Sequence, residues 1–317
     1  MKNLLYLVSL LFVMANVHAQ KCATMDNWQK ILDENPQIEE NSQRIEAHTQ
    51  NFAENNTRQY RTGNIITIPV VVHVLYTSEF NNISDEQIYS QITSLNNDYR
   101  RLNSDASNTL DEFVGTAADI EIEFCMAQQD PNGFPTTAIN RKETTITEFR
   151  DEIKAEATGG IDPWPVDRYL NIWVAPDITE SPGSPGEVLG YAQFPGGDPA
   201  TDGIVVRHNS FGNTGTVTVG NIGRTATHEV GHWLNLRHIW GDGACGADDF
   251  VDDTPLSDDQ NFGCALTHMS CSTLDMVQNY MDYSDDGCMN LFTLGQKERM
   301  RALFAPGGAR ADLALSN

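Results

Sequence analysis

The residues best suited to chemistry lie between His228 and His238, in the run His-Glu-Val-Gly-His-Trp-Leu-Asn-Leu-Arg-His. On a helix, His228 and His232 lie one turn apart on nearly the same face, so both imidazoles can bind one metal ion. Glu229 then points to the side where a metal-bound water would sit. His238 reaches the same ion only if the helix ends before it, and Asn235 tolerates the positive φ of such an exit. Three histidines with one open position indicate a catalytic zinc site.

This motif resembles that of the metzincin metallopeptidases, whose long consensus has glycine where this chain has Asn235. Trp233 directly after the second histidine, together with asparagine at the turn, is most similar to the pappalysin family in its bacterial secreted branch. Met281 matches the methionine of the family's Met-turn, and Tyr283 matches a tyrosine that can hydrogen-bond the reaction intermediate. A lone methionine is usually ordinary core, but the tyrosine two residues later favours the functional interpretation. The likeness spans about residues 60–305.

The resemblance implies a zinc-dependent endopeptidase that cuts internal bonds of protein or peptide substrates. It also implies an α/β, metzincin-like fold with a twisted mixed sheet and long helices above a cleft, and an irregular, disulfide-stapled lower subdomain. Zinc lowers the pKa of bound water from about 15.7 toward 7, so Glu229 can take that proton and pass it to the leaving amine. Tyr283 would help to stabilise the oxyanion. The predicted zinc ligands are His228, His232 and His238.

Two other functions stay open from the sequence alone. A secreted zinc- and calcium-binding module without catalysis could serve adhesion or inhibition, although the presence of Glu229, the three histidines and Tyr283 argues against it. Amide hydrolysis in non-peptide substrates is the second alternative. Digestion of a denatured protein such as casein would distinguish it from proteolysis.

Residues 1–19 are typical of a secretory signal. Lys2 supplies the positive start, residues 4–14 form an apolar run, and residues 17–19 form a small-residue cleavage site. The run is too short for a stable membrane span, and Lys21 stands where a lipoprotein signal needs a small residue. We therefore expect a secreted protein without a membrane anchor.

Residues 20–60 are polar and rich in Asn, Gln and Glu, with a short helical stretch near Trp28. Such a segment buries too little apolar surface to be a domain, so we predict a propeptide that inhibits its own enzyme. Its exit is expected near Arg58 or Arg61, where self-cleavage is possible if the enzyme prefers basic residues. The catalytic domain then covers residues 61–317.

Cys22 lies in this predicted propeptide. A thiolate is a strong zinc ligand that could displace the catalytic water and hold the enzyme latent, as in the cysteine switches of some relatives. The alternative is a Cys22–Cys125 disulfide, which an exported chain permits. Cys125 could also be a core thiol. We favour the switch because Cys22 belongs to a disposable segment.

Six cysteines in an exported chain indicate disulfides. Four of them follow the zinc motif, and four cysteines allow three pairings that the sequence does not distinguish. The resemblance implies the pairs Cys245–Cys271 and Cys264–Cys288, which would staple a loop-rich segment.

The chain carries 44 acidic and 20 basic residues, a formal net charge of −24. This charge disfavours nucleic acid and anionic membrane surfaces as partners. Acidic oxygens do suit calcium, which takes roughly six to eight oxygen ligands in flexible loops, and a solvated acidic loop is the alternative. The resemblance implies structural calcium after Cys245. The candidate ligands are Asp248, Asp249, Asp252 and Thr254.

Substrate recognition has two candidate features. A strand ending near Arg207 could be a sheet edge that pairs with an extended substrate, although an ordinary edge strand is equally compatible. Acidic residues after the Met-turn lie close to where the family builds its specificity pocket, and they would favour Arg or Lys beside the cut bond. These residues are Asp282, Asp285 and Asp286.

Hydrophobic periodicity predicts the elements that position these residues. A continuous apolar run predicts a buried strand over residues 65–76, in which His73 is expected to be a packed core histidine. Apolar residues at helical spacing up to Tyr99 predict a helix that begins at Ser84 or Asp85. Further predicted elements are strands over residues 120–126, 169–174, 190–194 and 203–207, and helices from Thr225 and from Thr293, the latter with a Thr293–Gln296 capping box. This order predicts an α/β upper part, an irregular lower part and a substrate cleft between them.

Overall fold

The computed structural model describes residues 22–55, 64–179 and 187–315. The predicted secretory signal and the propeptide exit near Arg58 or Arg61 lie outside these residues. Two helices precede a mixed sheet, and a long irregular region separates the sheet from the last long helix. Within the described ranges, no helix combines the length and apolarity that a membrane crossing needs.

A mixed sheet forms the centre of the upper region. Its strands are β1 (Ile66–Tyr76), β2 (Ile122–Met126), β3 (Ile139–Glu143), β4 (Leu170–Ala175), β5 (Gly190–Ala192) and β6 (Ile204–Arg207). Their order is β2-β1-β4-β6-β5, and β3 pairs with the second half of β1. All pairs are parallel except β5 with β6, which is antiparallel. The twisted mixed sheet expected from the resemblance is confirmed; β3 was not predicted.

The long strand β1 lies in the middle of the sheet because its side chains are apolar on both faces. Val70, Val72 and Val74 are fully buried in the largest core cluster. Val71 points the other way, into a smaller cluster. His73 shares that second face and is a packed core histidine, as predicted, because it is fully buried and hydrogen-bonded to asparagine side chains.

The helices are α1 (Thr24–Glu34), α2 (Gln37–Asn55), α3 (Asp85–Tyr99), α4 (Asp111–Val114), α5 (Arg224–Trp233) and α6 (Leu294–Ala302). Ser84 is the N-cap of α3, and its hydroxyl accepts a hydrogen bond from the backbone of Gln87. The predicted capping box of Thr293 and Gln296 begins α6. Local capping chemistry therefore sets where both helices start.

The N-terminal segment forms two helices, where the sequence predicted a single short helical stretch. Ile38 and Ile45 lie seven residues apart on one face of α2 and are buried. Glu46 beside them accepts two hydrogen bonds of 2.8 Å from the guanidinium of Arg299 on α6. The segment is thus docked on the body of the protein, and the docking supplies the burial that a free segment of this composition lacks.

The prediction that the strand ending near Arg207 is an edge of the sheet is wrong. β6, which ends at Arg207, is an interior strand between β4 and β5. The short strand β5 is the edge at this end of the sheet, and Cys22 pairs with it in a parallel bridge at Gly190. The sequence pattern identifies both strands but contains no information about which of them is outermost.

The lower region, residues 234–292, contains little regular structure beyond the two-residue strands β7 (Met269–Ser270) and β8 (Thr273–Leu274). Two disulfides close it, Cys245–Cys271 and Cys264–Cys288, which are the pairs implied by the resemblance. Several of its residues adopt positive φ, so turns rather than periodic elements determine its path. An α/β upper region and a disulfide-stapled lower region agree with the predicted fold class.

Candidate active site

Helix α5 carries the first two histidines of the motif. His228 and His232 are buried, and their Nε2 atoms lie 3.0 Å apart. The helix ends at Trp233, and Asn235 has φ of 70°, the left-handed conformation expected of the exit residue. The chain then turns back, so that Nε2 of His238 lies 3.1 Å from Nε2 of His232. The turn thus brings the three predicted ligands together.

A hydrogen bond at Nδ1 orients each histidine ring. His228 bonds to the backbone carbonyl of Tyr280 at 2.7 Å, and His232 bonds to that of Leu236 at 2.8 Å. Carbonyl oxygens only accept, so both Nδ1 atoms carry the proton and both Nε2 atoms present a lone pair. Burial, followed by the neighbouring histidines, lowers the pKa of His232 well below its ordinary value. The ring of His232 is therefore held neutral, with its Nε2 lone pair facing the other two histidines.

The donor set fits zinc. Sγ of Cys22 and one ring nitrogen from each of the three histidines lie within 4.8 Å of one another, and all four residues are buried. Converging lone pairs on buried nitrogens repel one another unless a cation lies between them, and nitrogen and thiolate sulfur are the donors that zinc prefers. No second group of three or more converging His, Cys, Asp or Glu side chains occurs in the described part of the chain.

Met281 lies against α5 at Gly231. Its side chain is fully buried, and a Cβ added at Gly231 would overlap its sulfur. The glycine inside the zinc motif therefore allows the lower region to approach the helix closely. The backbone N–H of Met281 donates to the side chain of Asn279 at 2.9 Å, which fixes this turn.

Glu229 is fully buried beside the histidines. Its Oε2 accepts a hydrogen bond of 2.9 Å from the hydroxyl of Thr24 and a longer one of 3.5 Å from the thiol of Cys22. Oε1 has no hydrogen-bond partner among the described residues. Burial raises the pKa of Glu229 to about 8, against the opposing effect of these two bonds. A Cβ at Gly190 would lie 2.9 Å from Oε1, so the edge strand needs glycine where it passes this carboxylate.

The N-terminal segment enters the cleft along β5. Ala23 donates its N–H to the carbonyl of Gly190 at 3.0 Å, and the hydroxyl of Thr24 accepts from the N–H of Ala192 at 2.8 Å. Tyr283 donates its hydroxyl to the carbonyl oxygen of Cys22 at 3.1 Å. The segment thus lies against the three histidines, the carboxylate of Glu229 and the hydroxyl of Tyr283 at once. Sequence reasoning missed Thr24, because only this long-range contact reveals it.

Cys22 and Cys125 are both thiols in the structure, so the alternative Cys22–Cys125 disulfide is not formed. Burial, followed by the charge of Glu229, raises the pKa of the Cys22 thiol well above its ordinary value. A cation at the cluster would favour the thiolate instead.

A cavity of about 220 Å³ opens beside His228 and Glu229, and all three predicted acidic residues line it. The carboxylate of Asp282 accepts from the backbone N–H groups of Asn261 and Tyr283, and burial raises its pKa to about 7. Asp285 is exposed.

The third acidic residue of this cavity has a structural contact that the sequence did not indicate. Oδ2 of Asp286 accepts from the N–H groups of Ile222 and Arg224 at 2.8 and 3.0 Å, where α5 begins. Arg224 also lines the cavity, and its guanidinium bonds to Asp98 and Asp105. The wall of the cavity and the start of α5 therefore share residues.

The predicted calcium ligands are only partly brought together. Both carboxylate oxygens of Asp249 accept from the hydroxyl of Thr254, and burial raises the pKa of Asp249 to about 7. Asp248 accepts from the N–H of Phe250, and Asp252 is exposed. Asp253 accepts from Gly295 and Thr293 at the start of α6.

A buried three-histidine cluster on a helix and the following turn, above a methionine and inside this mixed α/β fold, defines a metzincin zinc metallopeptidase. The model of the family described as Pregnancy-associated plasma protein-A matches residues 157–305. The chain belongs to this family, the pappalysins, and is a zinc metalloendopeptidase.

Fungal relatives called extracellular metalloprotease support this membership. The one from Pyricularia oryzae is 32% identical over 76% of this chain and 75% of its own length. The one from Arthroderma benhamiae is 32% identical over 74% of this chain and 76% of its own length.

Two solved structures from Tannerella forsythia are also similar. A promirolysin mutant is 40% identical, covers 93% of this chain and 97% of that chain, and has a TM-score of 0.83. Mature mirolysin in complex with a cleaved peptide is 45% identical, covers 80% of this chain and 97% of that chain, and has a TM-score of 0.75.

Proposed function

We propose that this chain is the latent zymogen of a secreted endopeptidase that hydrolyses internal peptide bonds. The observation that carries the proposal is the convergence of Cys22 with His228, His232 and His238, with Thr24 on the adjacent Glu229. The relatives support it: they are called extracellular metalloproteases, and similar structures include a promirolysin and a mirolysin with a cleaved peptide. The proposed parts are a secretory signal at 1–19, a propeptide at 20–60 and a catalytic domain at 61–317.

The three histidines would hold zinc, which supplies an acidified water and an electrophile for the scissile carbonyl. Glu229 would take a proton at its carboxylate and deliver it to the leaving amine. Tyr283 now donates its hydroxyl to a peptide carbonyl, that of Cys22, at 3.1 Å. Once the segment leaves, the same hydroxyl would donate to the substrate's carbonyl oxygen as negative charge develops there.

The assignment of Glu229 is tested by Glu229→Ala. Removing the general base should lower turnover of a denatured protein such as casein by at least about a thousandfold, while zinc content by elemental analysis stays stoichiometric. Glu123→Ala, which removes a half-buried carboxylate on β2, is the matched control and should keep activity. Appreciable proteolysis by the Glu229 variant would overturn the assigned base.

Latency is proposed to depend on Cys22 as a zinc ligand. Cys22→Ala, in a zymogen whose junction near Arg58 and Arg61 is made resistant to cleavage, should hydrolyse a short peptide that its parent leaves intact. Cys125→Ala, a thiol on β2, is the matched control and should stay latent. If the Cys22 variant is as silent as its parent, the cysteine does not maintain latency.

Substrate recognition is proposed to use β5 and the acidic cavity. Cys22 and Ala23 lie along the edge strand through backbone contacts, and an extended substrate would take their place by β-addition. Asp282, Asp285 and Asp286 line the adjacent cavity, so a basic residue next to the cut bond is expected. A peptide library that shows an apolar preference there would contradict this. N-terminal sequencing of the active form would locate the junction.

We also propose structural calcium in the segment after Cys245. Asp249 and Thr254 already lie together there, and the two disulfides fix the surrounding loops. Calcium would neutralise the buried carboxylate and stabilise the lower region. Adding calcium should raise the melting temperature, and a calcium-selective chelator should reverse the increase. A melting temperature that neither treatment changes would count against the site.

A further inference from the structure

The three histidines differ in the group that accepts a hydrogen bond from Nδ1. Nδ1 of His228 and of His232 faces a backbone carbonyl, which is a neutral acceptor. Nδ1 of His238 faces a carboxylate instead: Oδ1 of Asp242 lies 2.5 Å away. Among the three ligands of the proposed zinc site, only the one from the irregular region is bonded at Nδ1 to an acidic side chain.

The backbone around Asp242 adopts uncommon conformations to make this contact. Gly241 and Asp242 have φ of 61° and 57°, two consecutive residues in the left-handed region. A Cβ at Gly241 would lie 2.6 Å from the backbone nitrogen of Asp248, so this position needs glycine. A non-glycine residue in that region carries backbone strain, which the surrounding contacts must offset.

The plane of the His238 ring is held separately. Trp240 stacks on it with ring centroids 4.3 Å apart and an interplanar angle of 4°. Tyr283 meets it edge-on, with centroids 5.0 Å apart. The aromatic contacts therefore set the plane of the ring, and the carboxylate sets which nitrogen carries the proton.

We propose that Asp242 is a positioning residue that makes His238 the most strongly donating of the three histidine ligands. The inference rests on the proposed zinc site and deepens it. A carboxylate that accepts the Nδ1 proton leaves the lone pair on Nε2, and its negative charge strengthens the electron donation of that nitrogen to a metal ion. Because His238 lies on a turn, outside helix α5, it needs this support more than His228 and His232 do.

The test measures zinc binding rather than turnover. Full-length protein carrying Glu229→Ala, which prevents self-cleavage, is compared with and without Asp242→Asn or Asp242→Ala by competition with a chromogenic zinc chelator. The asparagine keeps the shape and the hydrogen bond but loses the charge, so we expect about tenfold weaker binding. The alanine loses both, so we expect a loss of about a hundredfold. Asp258→Asn, at an exposed carboxylate in the same irregular region, should bind like its parent.

Two further measurements separate positioning from a purely structural role. The melting temperature of the metal-free chain should change little with Asp242→Asn, whereas the increase in melting temperature on adding zinc should shrink. The visible spectrum of the cobalt-substituted protein should also shift, because the ligand field of one histidine has changed. If Asp242→Asn binds zinc as tightly as its parent, the inference fails while the zinc site stands. If the parent itself binds no stoichiometric zinc, both fail.

Discussion

The active site joins two regions that are built differently. The upper region, residues 66–233, is a sheet with helices, and it contributes His228, Glu229 and His232 from α5. The lower region, residues 234–292, contributes His238, Met281 and Tyr283 from turns. In the upper region, burial of periodic apolar side chains determines the geometry. In the lower region, disulfides, backbone turns and buried polar groups do so.

The distribution of unusual backbone conformations shows this difference. Of the eight non-glycine residues with positive φ in the described part of the chain, five lie between residues 235 and 272. They include Asn235 and Asp242, which flank His238 on either side. The proposed metal ligand outside regular structure, His238, thus takes its position from specific residues around it, whereas the two on α5 take theirs from the helix.

The largest expected effect comes from removing a crosslink of the lower region. Cys264→Ser with Cys288→Ser opens a loop of 24 residues and should lower the free energy of unfolding by about 3 kcal/mol. Because the Met-turn lies between these cysteines, zinc binding should also weaken. Urea unfolding and chelator competition measure the two effects. Cys125→Ser in the upper region is the matched control and should cost less than about 1 kcal/mol. Equal effects of the two changes would contradict the contrast between the regions.

The same contrast explains how much of the molecule could be predicted. β1, α3, β4 and α5 follow from hydrophobic period and capping residues, which are local signals. The three histidines and Glu229 follow from motif spacing, and the Met-turn follows from the resemblance to the family. The order of β5 and β6 and the contacts of Thr24, Asp242 and Asp286 could not be predicted, because they join residues far apart in the chain or depend on the path of an irregular turn. Helix α2 was missed because its sequence is mostly polar and its burial comes from docking.

A buried polar group of the upper region should make its stability depend on pH. Nε2 of His73 lies 2.9 Å from Oδ1 of Asn171, and the amide nitrogen of Asn140 lies 3.1 Å from Nδ1. Oδ1 of Asn171 also accepts from the N–H of Trp164, so the ring donates at Nε2 and accepts at Nδ1. A second proton on Nδ1 would face the amide donor of Asn140. Burial accordingly lowers the pKa of His73 from 6.5 to about 4.

Between pH 6.5 and 4, the unfolded chain binds a proton on His73 that the folded chain does not bind. Lowering the pH through this window should therefore destabilise the fold, by roughly 3 kcal/mol in total, with no further contribution below about pH 4. Urea unfolding of the parent and of His73→Gln at pH 7, 5.5 and 4 measures it. The variant should be less stable at pH 7, and the difference between the two free energies of unfolding should shrink as the pH falls. If this difference stays constant, protonation of His73 is not the cause of the pH dependence.

The contact between the regions is tested at Gly231. Gly231→Ala places a methyl group on the sulfur of Met281, and overpacking of a filled core costs about 1–3 kcal/mol. The better helix propensity of alanine offsets less than about 1 kcal/mol of this. Gly287→Ala, where no heavy atom of the described residues lies within 4 Å of the added Cβ, is the matched control and should be close to neutral. If both variants have the same melting temperature, Met281 can move without destabilising the fold. The contact between Gly231 and Met281 then does not constrain the site.

The smallest expected effect is at the turn that joins α5 to the lower region, where Asn235 has φ of 70°. Asn235→Ala should cost about 1 kcal/mol, since a Cβ without a compensating polar side chain disfavours left-handed backbone. Asn235→Gly should be nearly neutral, because glycine adopts this conformation freely. Among the described residues, the amide of Asn235 makes only a long contact of 3.5 Å with Thr49. Arg299 bonds to the carbonyl of Asn235, which both substitutions keep. Zinc binding should follow the same order, since the turn sets the position of His238. If alanine and glycine behave alike, side-chain contacts rather than backbone conformation join the helix to the irregular region.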